Sequence, residues 1–231
     1  MDHNKRIEEL TAQIKKRLEN PEEKKKYSKE TCKLYNQLLL EVSNKKGEET
    51  FSKLKEQRRG LRTSNPDKYF EMVLNERRDV DKAFEEEGKH VWENTGGSKE
   101  DFERAINEYA STDLAYRAEL DKDRHDIKHA AIDRHRKAHP APEITPEILK
   151  AILQMNIDEF TKFKFPANAP QNPSREMLRE RYLEDCVYEK YKVEPDAVHP
   201  KIGELIQADP EVKKLVDQFH QIVQEKLKAG Q

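Results

Sequence analysis

Asn20-Pro21, Asn65-Pro66, Thr145-Pro146 and Asp209-Pro210 constrain this chain more firmly than any other feature. In each pair a short polar side chain able to cap a helix stands directly before a proline. Proline is favoured in a first helical turn, where its missing N–H would have had no partner. Between these marks the apolar residues recur at three- and four-residue spacing. Ile7, Leu10, Ile14 and Leu18 share one face. Tyr27, Thr31, Leu34, Leu38 and Val42 follow in a second helix that ends near Gly47. Phe51, Leu54 and Leu61 belong to a third, and Tyr69, Val73, Val80 and Phe84 to a fourth that fades before NTGGS at 94–98.

Ser98 opens the next element, with Asp101 in the position of a capping-box acid. No proline or glycine then appears until Pro140. Unbroken, this helix would be about 60 Å long at 1.5 Å per residue. Phe102, Ile106, Tyr109, Tyr116, Leu120, Ile127 and Ala130 follow a seven-residue repeat, which Asp113 and Asp123 interrupt. That pattern favours bundle packing over a long two-stranded coiled coil, with a break near Ser111-Thr112. PAPEITP at 140–146 is a rigid connector to an apolar helix carrying Ile148, Leu149, Ile152, Leu153, Ile157 and Phe160. Phe163 and Phe165 follow as core anchors, and FPANAPQNPS is a loop that cannot continue a helix. A further helix spans roughly 174–191, and the last carries Val212, Leu215, Val216, Phe219, Ile222, Val223 and Leu227 on one side.

The expected fold class is all-α: a multi-helix bundle with one long central helix and a C-terminal helical subdomain. Residues 1–97 would form N-terminal antiparallel helices, 98–139 the central helix, and 145–231 the C-terminal set. No internal repeat points to a solenoid. Hydrophobic residues make up 34% of the 231 and charged residues 39%, and the mean hydropathy is −1.11. That composition suits helical assemblies with a thin core.

Residues 1–62 carry 17 Lys and Arg against 11 Asp and Glu. Such an excess could steer an acidic partner, although a solvated helix face is the commoner meaning. Cys32 and Cys186 fall in no CxxC or Cys/His pattern, and reduced thiols are expected. The charged opening MDHNKRIEEL is unlike a signal peptide, and no apolar run reaches membrane-spanning length. The expected location is cytoplasmic, or secreted without a classical signal. No phosphate-cradling glycine loop, nucleophile elbow, or Walker or Rossmann fingerprint is present.

The chemistry concentrates in DRHDIKHAAIDRHRKAH at 123–139, which holds four of the eight histidines. On a helical wheel with His125 at zero, His129 falls near about +40°, His139 near about −40° and His135 near about −80°. The apolar seam lies at roughly 180–220°, so the histidines point away from the core. Asp121, His125, His129 and Asp133 step by four, a spacing used in helical zinc sites. The ladder drifts by about 120° from end to end, so one ion cannot touch all four.

The pair His125-Asp126, with His90 upstream, resembles the ligands of HD-domain metal phosphohydrolases, which are all-helical. The resemblance implies a divalent metal held by His90, His125, Asp126 and a later aspartate, Asp158 or Asp185, activating water against a phosphate ester. It covers three residues; DKDR replaces the apolar run that precedes the pair in that family, and no glycine follows.

Nucleic acid is a weak candidate partner. Aspartates interleave Arg124, Lys128, Arg134, Arg136 and Lys137, and the basic KEQRRGLR at 55–62 has no aromatic beside it to stack bases. Trp92 is expected to pack in the core or its turn.

The leading expectation is a non-enzymatic helical module for protein–protein interaction, with no membrane partner, no cofactor, and self-association as one form of contact. Its surface would be Leu114, His125, His129, Ile132, Arg136 and His139, an apolar stripe with a polar rim whose histidines could make association pH-sensitive. Helices rich in exposed lysine and glutamate are similar in composition to bacterial effector proteins that act by contacting host proteins. The alternative is the HD-like phosphohydrolase.

Overall fold

The computed structural model describes residues 3–138, 140, 142–166 and 174–229, with side chains through Lys226. Ten helices and no strand occur among the described residues: α1 (His3–Leu18), α2 (Pro21–Lys25), α3 (Lys29–Leu61), α4 (Pro66–Thr95), α5 (Lys99–Thr112), α6 (Leu114–Ala138), α7 (Pro146–Lys162), α8 (Ser174–Tyr191), α9 (Pro195–Leu205) and α10 (Pro210–Ala229). The protein is an all-α multi-helix bundle. Part of the connector after α6, most of the proline-rich loop before α8, and the Leu227 side chain lie outside the described residues.

All four cap-proline pairs open helices. Asn20 accepts from the Glu22 N–H at 3.0 Å, Asn65 from Lys68 at 3.2 Å, and Thr145 from Ile148 at 3.3 Å. Asp209 accepts from Glu211 at 2.9 Å and Val212 at 3.3 Å. Each bond satisfies an N–H that the first turn leaves without a helical partner. Pro195 also stands in the first turn of a helix, α9, not separated in the sequence pattern, but Glu194 before it makes no side-chain cap bond.

Two boundaries differ from those expected. The second helix stops at Lys25 and a new one starts at Lys29, because Ser28 takes the Thr31 N–H at 3.2 Å as a cap. That helix does not end at Gly47. A Cβ at Gly47 would stand 3.3 Å from the Phe84 ring, so this glycine admits α4 close against α3 rather than breaking the helix. The long element breaks beside Ser111-Thr112, where the interrupted seam placed a break, giving α5 and α6. Asp113, extended at φ −130°, ends α5 with its N–H on the Tyr109 carbonyl and caps α6 by accepting the Tyr116 N–H at 3.0 Å. The capping box at Ser98 is half formed: Ser98 takes the Asp101 N–H at 3.2 Å, but its own N–H goes to the Tyr27 hydroxyl at 2.7 Å.

The chain divides into two compact units that are not continuous in sequence. One comprises the residues up to Lys55 with Arg77–Ala138, the other Glu56–Glu76 with the residues from 139 onward. In the first unit, α3 is the axis. His3 meets Glu41, Arg6 meets Gln37 and Arg17 meets Glu30, so α1 runs antiparallel to it. Tyr35 meets Thr95 and Lys46 meets Glu87, so α4 is antiparallel too. The short α5 returns the chain, and α6 then runs parallel to α3, with Lys29 on Asp113, Lys33 on Glu119 and Arg134 on Glu41. Leu10, Ile14, Tyr35, Leu38, Phe102, Tyr116 and Leu120 form the buried core, with Trp92 against the Tyr35 and Phe102 rings.

In the second unit, α7 is central, and Leu149, Ile152 and Phe160 are fully buried on it. Lys150 pairs with Asp209 and Glu211 at the start of α10, and Lys226 near its end donates to the carbonyls of Phe160, Thr161 and Phe163. Helices α7 and α10 are therefore parallel, and Lys226 satisfies carbonyls that the end of α7 leaves open. Phe160, Phe163 and Phe165 pack on one another, as core anchors should.

Candidate functional site

Helix α6 is buried on one side only. Tyr116, Leu120 and Ala131 face the core of the first unit, with Ile127 half-buried. Ala131 takes the place expected for Ala130, which is exposed. Polar anchors hold the same side: the Tyr116 hydroxyl donates to the Lys29 carbonyl at 2.9 Å, and Gln37 donates to Asp123 at 2.7 Å. Asp123, an interruption of the apolar seam in sequence, thus has a partner waiting on α3.

The opposite side carries the residues nominated for binding. Leu114 is 78% exposed and Ile132 37%, and with Phe51 they are the large hydrophobic side chains most open to solvent among the described residues. Eighteen residues separate Leu114 from Ile132, which is five helical turns, so they lie on one line about 27 Å apart. His125, His129 and Arg136 are exposed beside that line. The His125 and His129 ring centroids stand 4.1 Å apart, tilted by 50°. His135 is half-buried, and His139 lies outside the described residues.

The HD-like set is not drawn together. His90 is exposed on α4 and pairs with Glu93 at 3.3 Å. Among the described residues no three His, Cys, Asp or Glu side chains form a metal-holding group. Asp185, one choice for the later aspartate, is committed to arginine and tyrosine instead. A cleft of about 280 Å³ in the second unit, floored by Ile152, Leu183, Val187 and Phe219, includes none of the proposed metal ligands.

The basic segment at 55–62 proves to be structural. Arg58, 4% exposed, grips Asp185 with Nε at 2.7 Å and Nη2 at 3.0 Å and reaches Glu76 with Nη1 at 2.5 Å. Arg59 bonds Asp185 at 3.0 Å and clasps Glu194 through two bonds of 2.9 Å, its guanidinium 3.5 Å over the Tyr188 ring. Arg181 joins Glu76 to Glu184, and the Tyr69 hydroxyl donates to Asp185 at 3.0 Å. Burial alone would push the Arg58 guanidinium down, but its bonds to Asp185 and the charges of Asp185 and Glu76 hold it up. Burial, then the negative charge of Asp185, holds the Tyr69 phenol proton firmly. These arginines are not a surface for phosphate.

Three of the early lysines are also answered internally: Lys26 pairs with Glu108, Lys29 with Asp113, and Lys33 with Glu119 and Asp123. Part of the positive excess of residues 1–62 is thus met by acids at 108–123. No described helix is long and apolar enough to cross a membrane. Comparison with protein-family models, with curated proteins and with solved structures found no match to this chain.

Proposed function

We propose that this protein is a non-enzymatic helical interaction module whose contact surface is the outer side of α6, used to bind another protein. The observation that carries the reading is the line from Leu114 to Ile132. Two large apolar side chains stay in water on a helix whose other side is buried. Exposed apolar groups rimmed by polar ones are the pattern of a contact core. His125, His129 and Arg136 supply that rim, and they offer hydrogen-bond donors and acceptors without filling the apolar line. Lys29 and Lys33 of α3 already have acidic partners, and Arg58 and Arg59 are committed within the second unit, which leaves α6 as the best-supported surface.

The test is co-purification with partner proteins from cells expressing the tagged chain, comparing wild type with Leu114→Ser and Ile132→Ser. Both substitutions are on exposed positions and should shift stability by less than about 0.5 kcal/mol. The expected result is that a partner, or a second copy, retained by wild type is lost or weakened at least tenfold in both variants. Retention of the same proteins by the variants would sink the reading.

A further inference from the structure

We propose that His125 and His129 form a two-imidazole chelate for a divalent cation of the zinc class. Residues four apart on a helix lie one above the other on the same side. Their ring centroids are 4.1 Å apart, and both side chains are exposed. A zinc ion takes each imidazole nitrogen at about 2.0–2.1 Å, so two donors to one ion lie within about 4.2 Å of each other. Rotation about the side-chain bonds brings one nitrogen of each ring onto a common ion, with the helix unmoved. Neither ring forms a hydrogen bond or ion pair to a described residue, so no partner has to be displaced first.

Among the described residues the site holds two protein donors. Asp121 stands one turn before His125 but pairs with Arg124 at 3.5 Å, and no third His, Cys, Asp or Glu joins the pair among the described residues. Water fills the remaining coordination positions, which makes the site open and its ion exchangeable. Hard oxygen-seeking cations are not expected to compete, because imidazole favours borderline metals. The chelate differs from the HD-like set: it uses neither His90 nor Asp126. It also stands independently of the interaction reading, because it requires only these two rings.

The experiment is titration of the untagged full chain with Zn²⁺ by calorimetry, in parallel with the histidine ring signals in two-dimensional NMR. One saturable equivalent is expected, with the His125 and His129 signals shifting together and those of His199 and His220 unmoved. His125→Asn and His129→Asn should each weaken that equivalent at least tenfold, and the double variant little further, because a chelate is lost with its first donor. Millimolar Mg²⁺ should leave the titration unchanged. Absence of a saturable equivalent, shifts confined to other histidines, or single variants that bind as wild type would each overturn the proposal.

Discussion

Arg58 and Phe51 invert what their side chains would suggest. The arginine is 4% exposed and the phenylalanine 43%, seven positions apart on the same helix. A buried guanidinium is tolerable only where carboxylates meet it in the right geometry, and Asp185 does so through both oxygens. Asp185→Asn keeps the shape and removes the charge, leaving Arg58, Arg59 and the Tyr69 hydroxyl with a poorer acceptor. We expect a loss of about 3 kcal/mol in urea-monitored stability. A change below about 0.5 kcal/mol would mean that Glu76 and Glu194 alone compensate these cations. Nothing in KEQRRGLR distinguishes arginines that will be buried from arginines that will be solvated. Two of the acids that receive them, Asp185 and Glu194, lie more than a hundred residues away, in a pairing that only folding creates.

At the scale of elements, start signals were legible and stop signals less so. A cap followed by proline is a local instruction, complete within one turn, and all four such pairs act on it. Glycine is ambiguous, because the same residue can end a helix or let another approach. Gly47 does the second and Gly96 the first: Gly96 takes φ +73° just after α4, where a side chain would be strained. Gly97 is tied to packing as well, since a Cβ there would fall on the Tyr35 hydroxyl, which donates to Thr95 at 2.9 Å. Gly97→Ala should therefore cost about 2 kcal/mol by displacing that ring. Unchanged thermal stability would show that the turn between α4 and α5 shifts freely. Asp113 was readable as a break in the apolar seam, but the partners that make it a helix boundary, Tyr116 and Lys29, were not.

For the molecule as a whole, the two thiols and several phenols report on burial. Burial pushes the Cys32 thiol up to about 12 and the Cys186 thiol up to about 11, the latter despite Arg62 pulling it down. Burial also raises the Tyr182 phenol to about 12 and the phenols of Tyr35 and Tyr69 further. The folded chain thus holds protons that the unfolded chain releases from pH 9 upward, so stability is full below that pH and declines as pH rises toward 12. The urea midpoint should hold up to about pH 9 and then fall toward pH 12, and a midpoint constant across that range would contradict the burial. At pH 8 both thiols should resist a thiol reagent until denaturant is added. The sequence alone determined the all-α class, most helix starts and the apolar side of α6, because capping and periodicity are settled within a few residues. Only the tertiary structure decided which charges are buried and that the chain forms two units discontinuous in sequence. Those outcomes depend on free energies shared between residues far apart in the chain, and no short stretch contains both halves of such a contact.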